Sequence, residues 1–205
     1  MPVPRRKLLI ATNNAGKLRE YRFLLKGVPF TVVSPAETGM TLDIAETGKT
    51  FEENARLKAK AFAAASGLLA LADDSGLEVD ALGGEPGIMS ARYAGENASD
   101  ADRVGYLLSK LNGVAWEKRA ARFRCVIAIA RPGGRIETCS GECVGTIALE
   151  PRGGHGFGYD PIFFLPELGM TMAELPADMK NRASHRARAA AKAREILEII
   201  AVENP

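Results

Sequence analysis

Four polar clusters in the 205-residue chain have residue types and spacings that can do chemistry. The first is Thr12-Asn13-Asn14-Ala15-Gly16-Lys17, between an apolar run and an amphipathic segment. Its small residues let backbone N–H groups approach an anion, a helix starting there adds its positive end, and Lys17 adds a point charge. The G-x-x-x-x-G-K-[ST] pattern is absent, and an ordinary N-capped turn explains the same residues. The second cluster is acidic: Glu46, and the adjacent pair Asp73-Asp74 followed by Ser75. Carboxylates at separate element ends can converge on Mg²⁺, and one can deprotonate a water. The plain alternative is a polar Asp-Asp-Ser-Gly turn. The third is Phe157-Gly158-Tyr159-Asp160, where a ring can stack on a base and a carboxylate can read its edge. Packing of both rings in a core is the alternative. The fourth is basic, with Lys180, Arg182, His185, Arg186, Arg188, Lys192 and Arg194. Lys180 and Arg186 flank the start of the last expected helix, where anions bind favourably, although a solvated basic face has the same look. Lys58 lies one turn beyond Asn54 on one helix face, where surface lysines are common. Together the clusters fit a nucleoside polyphosphate with Mg²⁺.

Such clusters need elements to hold them. Residues 7–12 predict a buried strand and 16–26 a helix with Leu18, Tyr21, Leu24 and Leu25 on one face. Residues 30–33 predict a second strand. Thr50-Phe51-Glu52-Glu53 has the capping-box pattern and opens an Ala-rich helix to about Ser66. A short third strand over 69–72 is expected to run straight into Asp73-Asp74-Ser75-Gly76. The Gly- and Pro-rich stretch 83–98 reads as a long loop, either functional or disordered, and Ser99 caps a helix to residue 111. Residues 122–130 and 134–149 predict two long strands joined by a Pro-Gly-Gly turn. A glycine-rich loop over 153–160 precedes a strand over 162–165, and Ser184 caps a last helix reaching Ile200. Strands and helices alternate, so the class is α/β with a mixed sheet. No repeat or linker divides the chain, which reads as one domain over 1–205.

Composition narrows the function classes. With 46% hydrophobic residues and a net charge of +2, most of the chain is not disordered. That small charge also argues against a dedicated nucleic-acid binder. The longest apolar stretch, 61–72, includes Ser66 and Gly67 and is well short of the ~20 residues of a membrane-crossing helix. Arg5, Arg6 and Lys7 precede an apolar run too short for the core of a leader peptide, so the reading is cytoplasmic. Cys125, Cys139 and Cys143 are odd in number and make no C-x-x-C pair. They read as buried thiols, and with only His155 and His185 available no zinc set can be assembled.

Six segments carry a resemblance: LLIATNNAGKLREYRFLL, TFEENARLKAKAFA, LADDSGLEVDALGGEPGIMSARYAG, ARFRCVIA, GFGYDPIFFLP and MKNRASHRARA. In this order, across residues 7–190, they resemble the inosine/xanthosine triphosphate pyrophosphatases, which remove deaminated purine nucleotides. The resemblance implies two α/β lobes around a long mixed sheet, a substrate cleft between them, and a homodimer. It implies Mg²⁺-dependent hydrolysis of dITP, ITP or XTP to the monophosphate and pyrophosphate, with neither nucleic acid nor membrane as partner. Thr12 to Lys17 match the family's phosphate-binding turn, and Lys58 a phosphate-binding lysine. Glu46 matches a metal-binding acid, and Asp74 the proton acceptor and metal ligand. Ser75 matches a substrate contact, Phe157 to Asp160 the base-recognition loop, and Lys180, His185 and Arg186 the segment that closes over nucleotide. Asp73 is expected as a helper, and Arg186 or a backbone N–H as the group facing the 6-oxo oxygen. Asn13 stands where several relatives carry Gly, which stiffens the turn but leaves its backbone donors. The rival readings are a pyrophosphatase with another base preference, and a nucleic-acid or nucleotide sensor using the basic C-terminal helix.

Overall fold

Short apolar runs alternating with capped helices fold into one seven-stranded mixed sheet. The structure is a computed structural model and describes residues 6–203, so Arg5 of the basic start lies outside the described residues. The strands are β1 (Lys7–Ile10), β2 (Thr31–Val33), β3 (Leu69–Val79), β4 (Ala120–Ala130), β5 (Ile136–Ile147), β6 (Phe163–Leu165) and β7 (Met170–Thr171). The helices are α1 (Ala15–Leu24), α2 (Phe51–Ser66), α3 (Asp100–Lys110), α4 (Ala177–Ala183) and α5 (His185–Glu203). The sheet order is β2-β1-β3-β4-β5-β6-β7. β1 runs parallel to β2 and β3, with Leu8 opposite Val32 and Leu9 opposite Ala70. β6 runs antiparallel to β5 and β7, with Thr146 opposite Phe164 and Phe164 opposite Thr171. The expected α/β class with a mixed sheet is what forms.

One departure matters for the chemistry. β3 does not stop at Ala72; it continues through Asp73-Asp74-Ser75-Gly76 to Val79. Local composition there signals a turn, but strand preference depends on neighbours more than on intrinsic propensity. Asp73 and Asp74 are both buried, so this polar stretch is interior strand. Smaller differences are the 3-10 turns at Asp80–Leu82 and Gly87–Arg92, the second within the expected loop. Another 3-10 turn at Asp160–Ile162 precedes β6. Helix α4 and strand β7 have no counterpart in the sequence reading.

The chain divides into two compact units. One comprises the residues up to Asp74, Cys125–Gly141 and those from Arg186 onward; the other comprises Ser75–Arg124 and Glu142–His185. The first unit's core gathers Leu8, Ile10, Tyr21, Leu71, Ile127 and Leu197, with Ala189, Ala190 and Ala193 of α5 at helical spacing. The second unit's core gathers Leu77, Val104, Leu107, Ile147, Phe163 and Met172.

Caps fix where the helices begin. The Asn14 side chain accepts from Lys17 N–H at 3.0 Å and starts α1. Thr50 Oγ1 accepts from Glu53 N–H at 3.1 Å and starts α2, while the Glu53 carboxylate reaches back one residue further than expected, to Lys49 N–H at 2.6 Å. The buried face of α2 sets Phe51 and Phe62 among Ala55, Ala59 and Ala63, and it also carries Asn54. Ser99 and Asp102 form a reciprocal capping box at the start of α3. Among the described residues no helix is long and apolar enough to cross a membrane.

Thr50→Ala removes an acceptor from the start of α2 and should destabilise the protein by about 1 kcal/mol, with Thr50→Ser close to neutral. Urea unfolding midpoints measure both; equal losses would mean that the hydroxyl is not what caps α2.

Candidate active site

Successive residues of a strand point to opposite faces, so the adjacent acids of β3 meet different partners. Asp73 is almost fully buried and lies 3.0 Å from Lys17 Nζ and 3.3 Å from Arg186 Nη2. Arg186 is itself buried, and its Nη1 donates to Glu20 at 2.7 Å. Cys125 Sγ lies 3.8 Å from the Asp73 carboxylate. Burial alone would push this carboxyl up, but the Lys17 and Arg186 cations prevail and hold it well below the usual carboxylate range.

Asp74 meets α2. Asn54 Nδ2 donates to Asp74 Oδ2 at 3.1 Å, and Lys58 Nζ lies 3.3 Å from Oδ1. The same ammonium donates to Glu46 Oε1 at 2.7 Å. Asn54 Oδ1 accepts from Gly48 N–H at 2.8 Å and so ties the Glu46 loop to α2. A Cβ at residue 48 would lie 2.6 Å from that oxygen, so the loop approaches this closely only with glycine. Burial pushes the Asp74 carboxyl up, Lys58 pulls it down and Glu46 pushes it up again, leaving it above its ordinary value. For Lys58, burial acts downward and Asp74, Asp73 and Glu46 outweigh it.

The turn ahead of α1 is partly tied down by its own hydrogen bonds, with Thr12 N–H donating to Ile10 O at 2.9 Å. Asn14 N–H reaches Thr12 Oγ1 at 3.2 Å, and Asn13 Nδ2 donates to Leu42 O at 3.3 Å. Asn13, Asn14 and Ala15 are exposed, while Thr12, Gly16 and Lys17 are half-buried.

The second unit carries the Phe157–Asp160 segment. Asp160 Oδ2 accepts from Phe157 N–H at 2.9 Å and from Lys180 Nζ at 2.7 Å. That ammonium lies 4.8 Å from the centroid of the half-buried Phe157 ring. Gly156 has φ +83°, and a Cβ there would lie 2.1 Å from Asp160 Oδ2, so only glycine closes the loop. Gly158 N–H donates to Asp100 Oδ2 at 2.7 Å, and the buried Tyr159 donates its hydroxyl to Ser90 O at 3.0 Å. His185 is buried and stacks on Phe123, with ring centroids 4.7 Å apart. Ser75 follows Asp74 in β3 and is half-buried.

The structure thus brings Glu46, Lys58 and Asp74 together in the first unit, and Phe157, Asp160 and Lys180 together in the second. Of the three basic residues near the last helix, Lys180 pairs with Asp160, His185 stacks on Phe123, and Arg186 pairs with Glu20 and Asp73. Asp73, expected as a helper, is the hub of a buried ion cluster. Sequence reasoning gave no role to Asn54, Glu20, Ser90 or Asp100. Spacing offered a signal for two of them: Asn54 is four residues before Lys58, and Glu20 three after Lys17.

Mg²⁺ fits the acids of the first unit in part. Glu46 and Asp74 both reach the ammonium of Lys58, so two hard oxygen donors already converge on one positive charge. Mg²⁺ is commonly held by one or two carboxylates, with waters and phosphates completing its shell. Among the described residues no three His, Cys, Asp or Glu side chains converge. A cavity of about 330 Å³ in the same unit, lined by Arg6, Lys7, Phe30, Leu69, Arg131 and Ile200 among others, contributes no carboxylate and is not part of this group.

A model of the Ham1 family matches residues 8–196. A Geobacter sulfurreducens protein named dITP/XTP pyrophosphatase is 56% identical over 185 residues, covering 90% of this chain and 93% of its own. A Bacillus subtilis protein of the same name is 50% identical over 193 residues, covering 94% and 98%. Among solved structures, a HAM1 protein from Coxiella burnetii has a TM-score of 0.86 at 43% identity, covering 94% of this chain and 98% of that one. The Ham1 protein of Staphylococcus aureus has a TM-score of 0.85 at 44% identity, covering 95% and 100%.

Asp73→Asn removes one of the two carboxylates paired with the buried Arg186, and the partner of Lys17, and should cost roughly 3 kcal/mol at pH 7. The folded-state pKa of Asp73 is depressed, so its contribution is present above the unfolded value of about 3.9 and is lost as pH falls below it. The gap between wild type and variant in urea should therefore narrow from pH 6 to pH 3. A constant gap would contradict the depressed carboxyl.

Proposed function

The chain belongs to the Ham1 family, and from that premise we propose that it hydrolyses the non-standard purine nucleoside triphosphates dITP, ITP and XTP to the monophosphate and pyrophosphate. The observation that carries this reading is the Asp74–Lys58–Glu46 group beside Lys17 and the open turn of α1. There a buried carboxyl, pushed above its ordinary value by burial, lies close to the ammonium groups of Lys58 and Lys17.

In this reading the Thr12–Lys17 turn binds phosphate oxygens with backbone N–H groups and the positive end of α1. Lys17, Lys58 and Lys180 offset the charge of the triphosphate and the charge that develops on the pyrophosphate leaving group. Asp73 and Arg186 act at one remove: Asp73 holds Lys17 in place, and Arg186 with Glu20 holds Asp73. Asp74 takes the proton of a water whose oxygen forms the new bond to the α-phosphorus. The bond from that phosphorus to the β-bridging oxygen breaks, and its electron pair leaves with pyrophosphate. Asn54 fixes the Asp74 carboxylate for this transfer. Glu46 and Asp74 would hold Mg²⁺, which when bound neutralises phosphate charge.

Phe157 is the stacking platform for the base, with Lys180 and Asp160 setting its loop, and Ser75, Gly158, Tyr159 and His185 completing the substrate-binding set. Hypoxanthine and xanthine offer an acceptor at the 6-position and N1–H beside it, whereas adenine offers a donor and an acceptor. Groups matched to the first pattern leave ATP with unpaired polar atoms, a strong basis for discrimination. One domain, acting as a cytoplasmic homodimer without nucleic-acid or membrane partners, completes the proposal. The three free thiols support that location. The edge-to-face Trp116–Phe164 pair and the exposed Val144 offer apolar surface that a second copy can cover.

Pyrophosphate release with Mg²⁺ should be fast from ITP, XTP and dITP and slow from GTP, ATP and dUTP. Asp74→Asn should lower it by roughly 10²–10⁴-fold without unfolding the protein. Release mainly from dUTP would discard the purine reading, and near-normal turnover by Asp74→Asn would remove Asp74 as the base. Phe157→Ala should raise KM for ITP by the equivalent of roughly 1–3 kcal/mol of lost stacking. An unchanged KM would return Phe157 to a packing role.

A further inference from the structure

We propose that Asp100, at the start of α3, is a positioning residue that sets the base-binding loop and thereby the affinity for the nucleoside part of the substrate. The proposal rests on the reading of Phe157 as the base platform.

Three consecutive residues of that loop are tied to three different parts of the second unit. Asp160 is held by Lys180 at 2.7 Å, Tyr159 by Ser90 O at 3.0 Å, and Gly158 by Asp100 Oδ2 at 2.7 Å. The Ser90 strut is itself braced, because its hydroxyl donates to Gly87 O at 2.6 Å and accepts from Leu77 N–H at 2.9 Å. The Asp100 strut is braced as well. Its other oxygen pairs with Arg103, whose Nη1 donates to Ala91 O at 3.0 Å and to Ala98 O at 2.6 Å. The carboxylate is therefore held from behind while it grips a backbone N–H 58 residues away. Gly158 adopts φ +62°, a left-handed turn in the residue that follows the ring-bearing Phe157. Losing its N–H anchor frees that turn and with it the direction of the Phe157 ring.

Helix capping does not explain Asp100. Ser99 and Asp102 already form the reciprocal capping box of α3, and Asp100 plays neither of its two parts. Burial would raise the Asp100 carboxyl, yet the Gly158 N–H and Arg103 outweigh it and hold it below its ordinary value. The charged form is thus the one that grips the loop.

The test compares wild type, Asp100→Ala, Asp100→Asn and Phe157→Ala with Mg²⁺. Each is measured for KM and kcat with ITP and for the inhibition constant of inorganic tripolyphosphate, a probe without a base. Asp100→Ala should raise KM about tenfold, the weight of one charge-assisted hydrogen bond. Its kcat and its tripolyphosphate inhibition should stay within about twofold of wild type. Asp100→Asn keeps a neutral acceptor for Gly158 N–H and should recover part of the loss. An unchanged KM in Asp100→Ala beside a raised KM in Phe157→Ala would overturn the role of Asp100 alone. Unchanged KM in both would overturn the base-platform reading, and this proposal with it. Parallel weakening of ITP and tripolyphosphate, or no recovery in Asp100→Asn, would reduce Asp100 to a structural residue.

Discussion

Two adjacent carboxylates lie buried in the middle of β3, and neither is tolerable there without cations or strong hydrogen-bond donors. The two-residue period of the strand sends them to opposite faces, so each recruits its own partners. Asp73 draws Lys17 from α1 and Arg186 from α5, with Glu20 behind Arg186. Asp74 draws Asn54 and Lys58 from α2, and Lys58 brings Glu46 with it. The starts of α1 and α5 and the outer loop before α2 are therefore placed by the charges of one strand.

The two acids end in different electrostatic states although they are neighbours. Cations overwhelm the burial of Asp73, which stays ionised and acts as a fixed anchor. At Asp74 burial and the Glu46 carboxylate outweigh Lys58, Lys17 and the Asn54 hydrogen bond, and the carboxyl stays above its ordinary value. Pairs of titratable groups whose surroundings push them apart are a common way to separate structural from acid–base roles. The second unit follows a different scheme. Its Phe157–Asp160 loop is shaped by backbone N–H donors to carboxylates and by one glycine too close to Asp160 to bear a side chain.

Much of this was legible in the sequence wherever the signal is local. Thr50 and Ser99 announce two helix starts because a cap is written within four residues. The alternation of elements announces the mixed sheet. The passage of β3 through Asp73-Asp74-Ser75-Gly76 was not legible, because those residues favour a turn locally and are held extended by sheet neighbours distant in sequence. The same limit applies to Arg186. Nothing in the basic run around it points to its partners Glu20 and Asp73, which are more than a hundred residues away. Asp100 carries no local mark at all, since an acid in a first helical turn is ordinary.

In the proposed reaction, water activated at Asp74 attacks the α-phosphorus. Hydrolysis of ITP in ¹⁸O-enriched water, followed by mass analysis of both products, reads which phosphorus is attacked. One ¹⁸O is expected in the inosine monophosphate and none in the pyrophosphate. Label in the pyrophosphate would place the attack on the β-phosphorus and contradict the proposed reaction.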